Sequence, residues 1–235
     1  MICDILGAPY FGERTNATGL LLMIAELASY ILLVIMGLVP IVNPFSTAPL
    51  FISMTAGGTK AQRNKTAMLA CIYMAAMLIV FLLLGTFILN FFGISIASLR
   101  MAGGMVIAFM GFKMLFPEES TRDSDVTKAP DDPTSFAFTP LAMPMLSGPG
   151  ALSVVIAMGA QLDSVQAAGE RLLGYAIVAI GILISCFICW LVLHSATAVV
   201  RILGRNGITA LTKLMGFILI CIGVEFVMAV LKLNV

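Results

Sequence analysis

One interruption constrains this chain more than anything else in it. Inside a hydrophobic run that begins near residue 22, the sequence reads Pro40-Ile-Val-Asn-Pro-Phe-Ser-Thr-Ala-Pro-Leu-Phe51. Pro44 lacks a backbone donor, its ring clashes with the carbonyl four residues back, and it pushes Asn43 away from helical geometry. In lipid, every backbone group freed in this way is costly unless protein or a water-filled cavity satisfies it. Read forwards, Asn43-Pro44 is also a helix start, with Asn as N-cap and Pro at the first helical position. The stretch is therefore expected to be a discontinuous helix broken over residues 40–44. Its second arm, 45–54, would be about 15 Å long, about half a bilayer.

Composition sets the environment. The chain is 60% hydrophobic and only 11% charged, where a soluble domain carries about 25% charge. This excludes a large soluble catalytic domain and implies a polytopic membrane protein with little mass outside the bilayer. The net charge of +1 gives no reason to expect a nucleic-acid partner.

With about 20 apolar residues as the length of one span, six segments emerge: 22–54 with its break, 66–92, 98–116, 136–160, 170–196 and 207–233. The predicted fold is an all-α integral membrane protein of six transmembrane helices. Residues 1–21 read as a leader without the pattern of a secretory signal. Residues 117–135 form a polar linker without core-forming side chains. Positive residues set orientation. Lys60, Arg63, Lys65, Lys113, Arg122, Lys128, Arg201, Arg205 and Lys213 fall on the linker side, and Arg14, Arg100, Arg171 and Lys232 on the other. Both termini are therefore expected outside the cytoplasm and the linker inside it.

The two sides of the linker echo each other. Pro40-x-x-Asn43-Pro44 is answered by Pro144-x-x-Ser147-Gly-Pro149, and the Gly104/Gly111 spacing in the third span by Gly216/Gly223 in the sixth. Arg100 and Lys213 lie at the starts of those two spans. Three spans per half is an odd number, so the second half must enter from the opposite side. The expectation is a 3+3 inverted repeat, 22–116 and 136–235, with discontinuous first and fourth helices. Interrupted segments at matching positions of such halves point to a transporter binding site.

A broken helix offers free carbonyls where one arm ends and free amides where the next begins. Two inverted breaks supply both polarities, and neither break contains a charged side chain, so a zwitterion fits. Asn43, Ser46, Thr47, Ser147 and Ser153 can complete its hydrogen bonding. Gly148, Gly150, Ala48 and Ala151 leave room for backbone approach, which suggests a small ligand, although small residues also serve tight helix packing. Glu225 in the sixth span is the candidate coupling residue for a proton or cation; pairing with a polar neighbour near the interface is the other reading. Glu26, Lys113 and His194 sit towards span ends and are read as interfacial. Cys186-Phe-Ile-Cys189 has motif spacing, but its neighbours are apolar and no partner pair of ligands exists elsewhere. Paired-carboxylate, HExxH, Walker A and GxSxG motifs are all absent. The chain is not expected to be an enzyme or to hold a metal or cofactor.

The break Pro40-Ile-Val-Asn-Pro-Phe45, with Gly93-Ile-Ser-Ile96, Leu99-Arg-Met-Ala-Gly-Gly104, Gly111-Phe-Lys-Met-Leu-Phe-Pro117, Pro140-Leu-Ala-Met-Pro144, Gly148-Pro-Gly150 and Leu214-Met-Gly-Phe217, resembles the MarC family of bacterial inner-membrane proteins over about residues 22–233. The resemblance implies six spans with both termini periplasmic, and kinship with transporters of small neutral amino acids such as glycine or alanine driven by an ion gradient, proton or sodium. The family's site at the discontinuous helices carries over to Asn43, Pro44, Ser147, Gly148, Pro149 and Gly150. Glu225 belongs to no family motif. An exporter of drugs or other metabolites, suggested by the family's link to antibiotic resistance, and a non-transporting membrane interaction protein are the alternatives. The implied partners are a small zwitterionic amino acid and membrane lipid. A homo-oligomer is a further option.

Overall fold

A computed structural model of the chain describes residues 17–116 and 137–233. The linker 117–135 and residues 1–16 of the leader lie outside the described residues. Every described element is helical: α1 (Ala17–Val42), α2 (Pro44–Met54), α3 (Lys60–Phe91), α4 (Ile96–Leu115), α5 (Phe138–Leu146), α6 (Pro149–Asp163), α7 (Ala168–His194) and α8 (Ala196–Leu233). α1, α3, α4, α7 and α8 each contain an apolar segment long enough to cross a membrane. α5 and α6 are too short to cross singly, and they occupy the stretch read as one broken span.

Local chemistry sets the element ends. α3 opens with a reciprocal cap. The Thr59 hydroxyl accepts from the Gln62 amide at 3.3 Å, and the Gln62 side chain accepts from the Thr59 amide at 2.8 Å. It therefore starts six residues before the expected 66. At its far end Gly93 takes a left-handed φ of 66°. The Gly93 amide then donates to Asn90 and that of Ile94 to Leu89, the paired bonds of a Schellman ending. Ser95 caps α4 through the Ser98 amide.

The structure corrects the first break. α1 already begins at Ala17, inside the expected leader, and it continues past Pro40 to Val42. Only Asn43 leaves helical geometry, at φ 47° and ψ 64°. One proline costs a helix one hydrogen bond, and the turns on either side can carry the helix past it; here the amide of Asn43 still donates to Val39 at 2.9 Å. The sixth segment is likewise longer than expected. α8 begins at Ala196 and turns at Gly204, whose φ of 62° suits a residue without Cβ.

α6 lies at the centre of the molecule. Ser153 through Ala160 are all buried, and a helix that is apolar all round is one enclosed by neighbours. α3, α4, α7 and α1 surround it. α1 and α2 pack on α7 as α5 and α6 pack on α3, and α2 packs on α8 as α6 packs on α4. Phe87, Phe109, Phe112, Leu183, Phe187 and Phe217 point outwards, an apolar surface suited to lipid.

The most intimate contact joins α4 and α8. A Cβ on Gly104 would lie 2.7 Å from the Gly223 carbonyl, and one on Gly223 only 2.5 Å from that of Gly104. The same reciprocity holds for Gly111 and Gly216, at 2.5 and 2.8 Å. The backbones touch directly, as small residues allow between membrane helices. Gly104→Leu should therefore force the helices apart and destabilise by about 1–3 kcal/mol, read as a lowered melting temperature in detergent. Gly37→Ala, with open space around its Cβ position, should leave melting unchanged or raised.

Candidate functional site

The two interruptions meet inside the bundle. Ile41, two residues before the first break, lies 3.4 Å from where a Cβ on Gly150 would stand, just past the second; Ile107 of α4 is 2.8 Å from the same point. The Asn43 side chain is buried, and it is held from two directions. Its Oδ1 accepts from the Ser46 amide at 3.4 Å, and its Nδ2 reaches Met114 Sδ on α4 at 3.3 Å. Neither bond is strong: the first is long, and thioether sulfur is a weak acceptor. Pro44 has no N–H to return to the Pro40 carbonyl.

The second break forms differently. Thr139 and Met143, each directly before a proline, are extended at φ −123° and −128°, as pre-proline sterics require. They open α5 into wide turns, and the Ser147 amide donates five residues back to Ala142 at 2.8 Å. α6 then starts at Pro149 with Gly148 as N-cap and no side-chain cap, so the first-turn amides of Gly150 and Ala151 have no helical acceptor. Beside them, Ser147 is only 1% exposed, and its hydroxyl has no hydrogen-bond partner. A buried polar group left this way costs about 1–3 kcal/mol.

Most of the residues expected at the site lie at these two points. Asn43, Pro44, Thr47, Ser147, Gly148 and Gly150 are buried, Ser46 is half-buried and Pro149 is exposed. Thr47 and Ser153 are already engaged. The Thr47 hydroxyl donates to the Asn43 carbonyl at 3.3 Å, and that of Ser153 to the Gly150 carbonyl at 2.8 Å while packing on Gly103.

Glu225 is exposed on α8, and no hydrogen bond or ion pair among the described residues links it to either break. Glu26 and Lys113 are exposed too, the latter with its ammonium 5.1 Å from the Phe109 ring. His194 is exposed and stacks on Trp190 at 5.1 Å between ring centres.

Sequence reasoning missed the partners that α4 supplies. Gly104, Ile107, Gly111 and Met114 recur at helical spacing on one face, and that stripe was the signal: its glycines meet α8 while Ile107 and Met114 reach the breaks. It also missed that Arg100 is 9% exposed, although it stands on the same stripe one turn before Gly104.

A sequence model described as MarC family integral membrane protein matches residues 28–234. The chain belongs to the MarC family. It is 37% identical over 196 residues to an inner membrane protein MarC of Escherichia coli, covering 81% of this chain and 88% of the relative. It is 38% identical over 198 residues, with the same coverage, to inner membrane proteins MarC of Salmonella typhimurium and Salmonella typhi. No solved structure matches. Family membership and the apolar helices together make this MarC-family chain a multi-pass inner-membrane protein.

Asn43 tests how the first break is held. A left-handed residue other than Gly costs about 1–2 kcal/mol, less for Asn, and losing the cap adds about 1 kcal/mol. Melting temperatures in detergent should fall in the order wild type, Asn43→Gly, Asn43→Ala.

Proposed function

We propose that this chain is a secondary transporter of small zwitterions, with neutral amino acids such as glycine or alanine as the substrate class. The observation that carries the reading is the second break, where uncapped amides at Gly150 and Ala151 stand beside an unpartnered, buried Ser147 hydroxyl. Amide ends suit a carboxylate. Next to them, α1 ends with the Pro40 carbonyl deprived of its donor, and carbonyl ends suit an ammonium group. The crowding of Gly150 by Ile41 and Ile107 restricts the ligand to something small.

In this reading α1–α2, α3 and α4 form one three-span unit, and α5–α6, α7 and α8 its inverted counterpart. The reciprocal glycine contact of α4 with α8 and the matched packing of α1–α2 on α7 and α5–α6 on α3 are what such a relation would produce. The basic linker side faces the cytoplasm, both termini face the periplasm, and a proton or sodium gradient supplies the driving force. Asn43, Pro44, Ser46, Thr47, Ser147, Gly148, Pro149 and Gly150 form the site. The family descriptions of the relatives name a membrane location and no substrate.

The test is transport by purified protein in liposomes. Labelled glycine or alanine should be taken up or exchanged under a proton or sodium gradient. Ser147→Ala should weaken apparent affinity by about tenfold or more, the value of a hydrogen bond to a charged group, while leaving melting of the ligand-free protein unchanged or raised. If neither amino acid moves under either gradient, the substrate assignment falls. Drug efflux from the same liposomes would favour an exporter.

A further inference from the structure

A second polar space lies well away from the breaks, at the end of the bundle where α2 stops, α3 begins and α7 passes into α8. It is a cavity of about 580 Å³ that includes Thr55, Lys60, Arg63, Asn64, His194 and Thr197 in its wall. Such a volume lies within the range of small-molecule sites, roughly 300–1,000 Å³. No acidic side chain among the described residues contributes to the wall. The four described acidic residues, Glu26, Asp163, Glu170 and Glu225, stand elsewhere on α1, α6, α7 and α8.

The polar groups in this wall are of two kinds. Arg63 is committed to the fold: its Nε donates to the Thr55 carbonyl at 3.0 Å and its Nη2 to that of Ala56 at 3.1 Å, closing the end of α2. The side chains of Lys60, Asn64 and His194 make no hydrogen bond or ion pair among the described residues, and all three can donate. Thr197 and Ala198 bring the first turn of α8 to the same wall, where uncompensated amides favour an anion.

The approach to the cavity is apolar. Phe187, Trp190 and His194 form a ladder along α7, with ring centres 5.7 and 5.1 Å apart, and Phe187 and Leu191 are 60% and 50% exposed. The ladder descends the bundle's lipid-type surface and ends at the cavity wall. Trp at such a level is characteristic of the membrane–water boundary. A soluble anion has no use for that apolar approach, whereas a lipid does: its phosphate enters the cavity while an acyl chain follows the ladder. Basic pockets between transmembrane helices bind anionic headgroups in this manner.

We propose that this cavity is a binding site for the phosphate headgroup of an anionic phospholipid, with Lys60, Asn64, His194 and the start of α8 as donors. The site is separate from the two breaks, and its test does not depend on transport. Purified protein should be melted in nanodiscs of phosphatidylethanolamine with and without phosphatidylglycerol, and separately in detergent with inorganic phosphate. The expected result is stabilisation by phosphatidylglycerol and none by inorganic phosphate.

Lys60→Gln with His194→Gln should weaken that lipid's apparent binding by roughly fivefold or more, about the value of one lysine charge at an anionic headgroup. Lys113→Gln, outside the cavity wall, should change nothing. Photo-crosslinking phosphatidylglycerol should label wild-type residues 60–64 and 194–198. Equal stabilisation by inorganic phosphate, an unchanged lipid preference in the double variant, or labelling confined to other segments would each overturn the proposal.

Discussion

A proline inside a membrane-spanning helix leaves one carbonyl without a donor, and lipid has none to lend. That arithmetic governs the organisation of this molecule. Backbone released at Asn43 and at Ser147 cannot face hydrocarbon, so both interruptions lie within the bundle, shielded by helices long enough to meet lipid themselves. α6 shows the result most directly. It is too short to cross, buried on nearly every side from Gly150 to Ala160, and its uncapped start lies against the end of α1. The same requirement that drives the breaks inwards also brings them together.

Enclosing two short arms demands an unusually close frame. α4 and α8 supply it by bringing backbone against backbone at Gly104 with Gly223 and Gly111 with Gly216. From that frame, Ile107 and Met114 extend to the breaks, so the face that joins α4 to α8 also sets the shape of the space beside Gly150. The opposite demand operates at the bundle end, where Arg63 donates to the Ala56 carbonyl and joins the Gly58 amide on that of Thr55, tying α3 to the end of α2. The side chains of Lys60 and Asn64, at the same end of α3, are left unengaged.

Much of this was legible in the residues. Asn43-Pro44 reads as a cap followed by a first helical residue, and the side chain of Asn43 caps as expected. Ser147-Gly-Pro149 reads as a stop and a start, and α6 begins at Pro149. The paired glycine spacings of 104 and 111 with 216 and 223 lie in one contact. What could not be read were effects of tertiary support. Pro40 looks like a breaker in isolation, yet the helix continues through it, so the first break shrinks to one residue. Met143 bends for the local reason that Pro144 follows it, but that this bend would leave Ser147 buried and unpartnered depends on α6 being enclosed. The exposure of Glu225, by contrast, follows from the glycines themselves: it stands two residues, about 200° around the helix, beyond Gly223 and so faces away from the α4 contact.

The glycine contact between α4 and α8 also limits how this sequence can change. Glycine has no smaller substitute, so every single replacement at 104, 111, 216 or 223 adds volume where a Cβ would already stand within 2.8 Å of a facing carbonyl. A leucine core can drift through neighbours of similar size. A seam made of backbone has no such neighbours: one residue cannot yield to make room for another, because both sides are already at their minimum. The route to a different packing therefore runs through displacement of a whole helix, and the seam is a position from which small mutational steps lead only uphill.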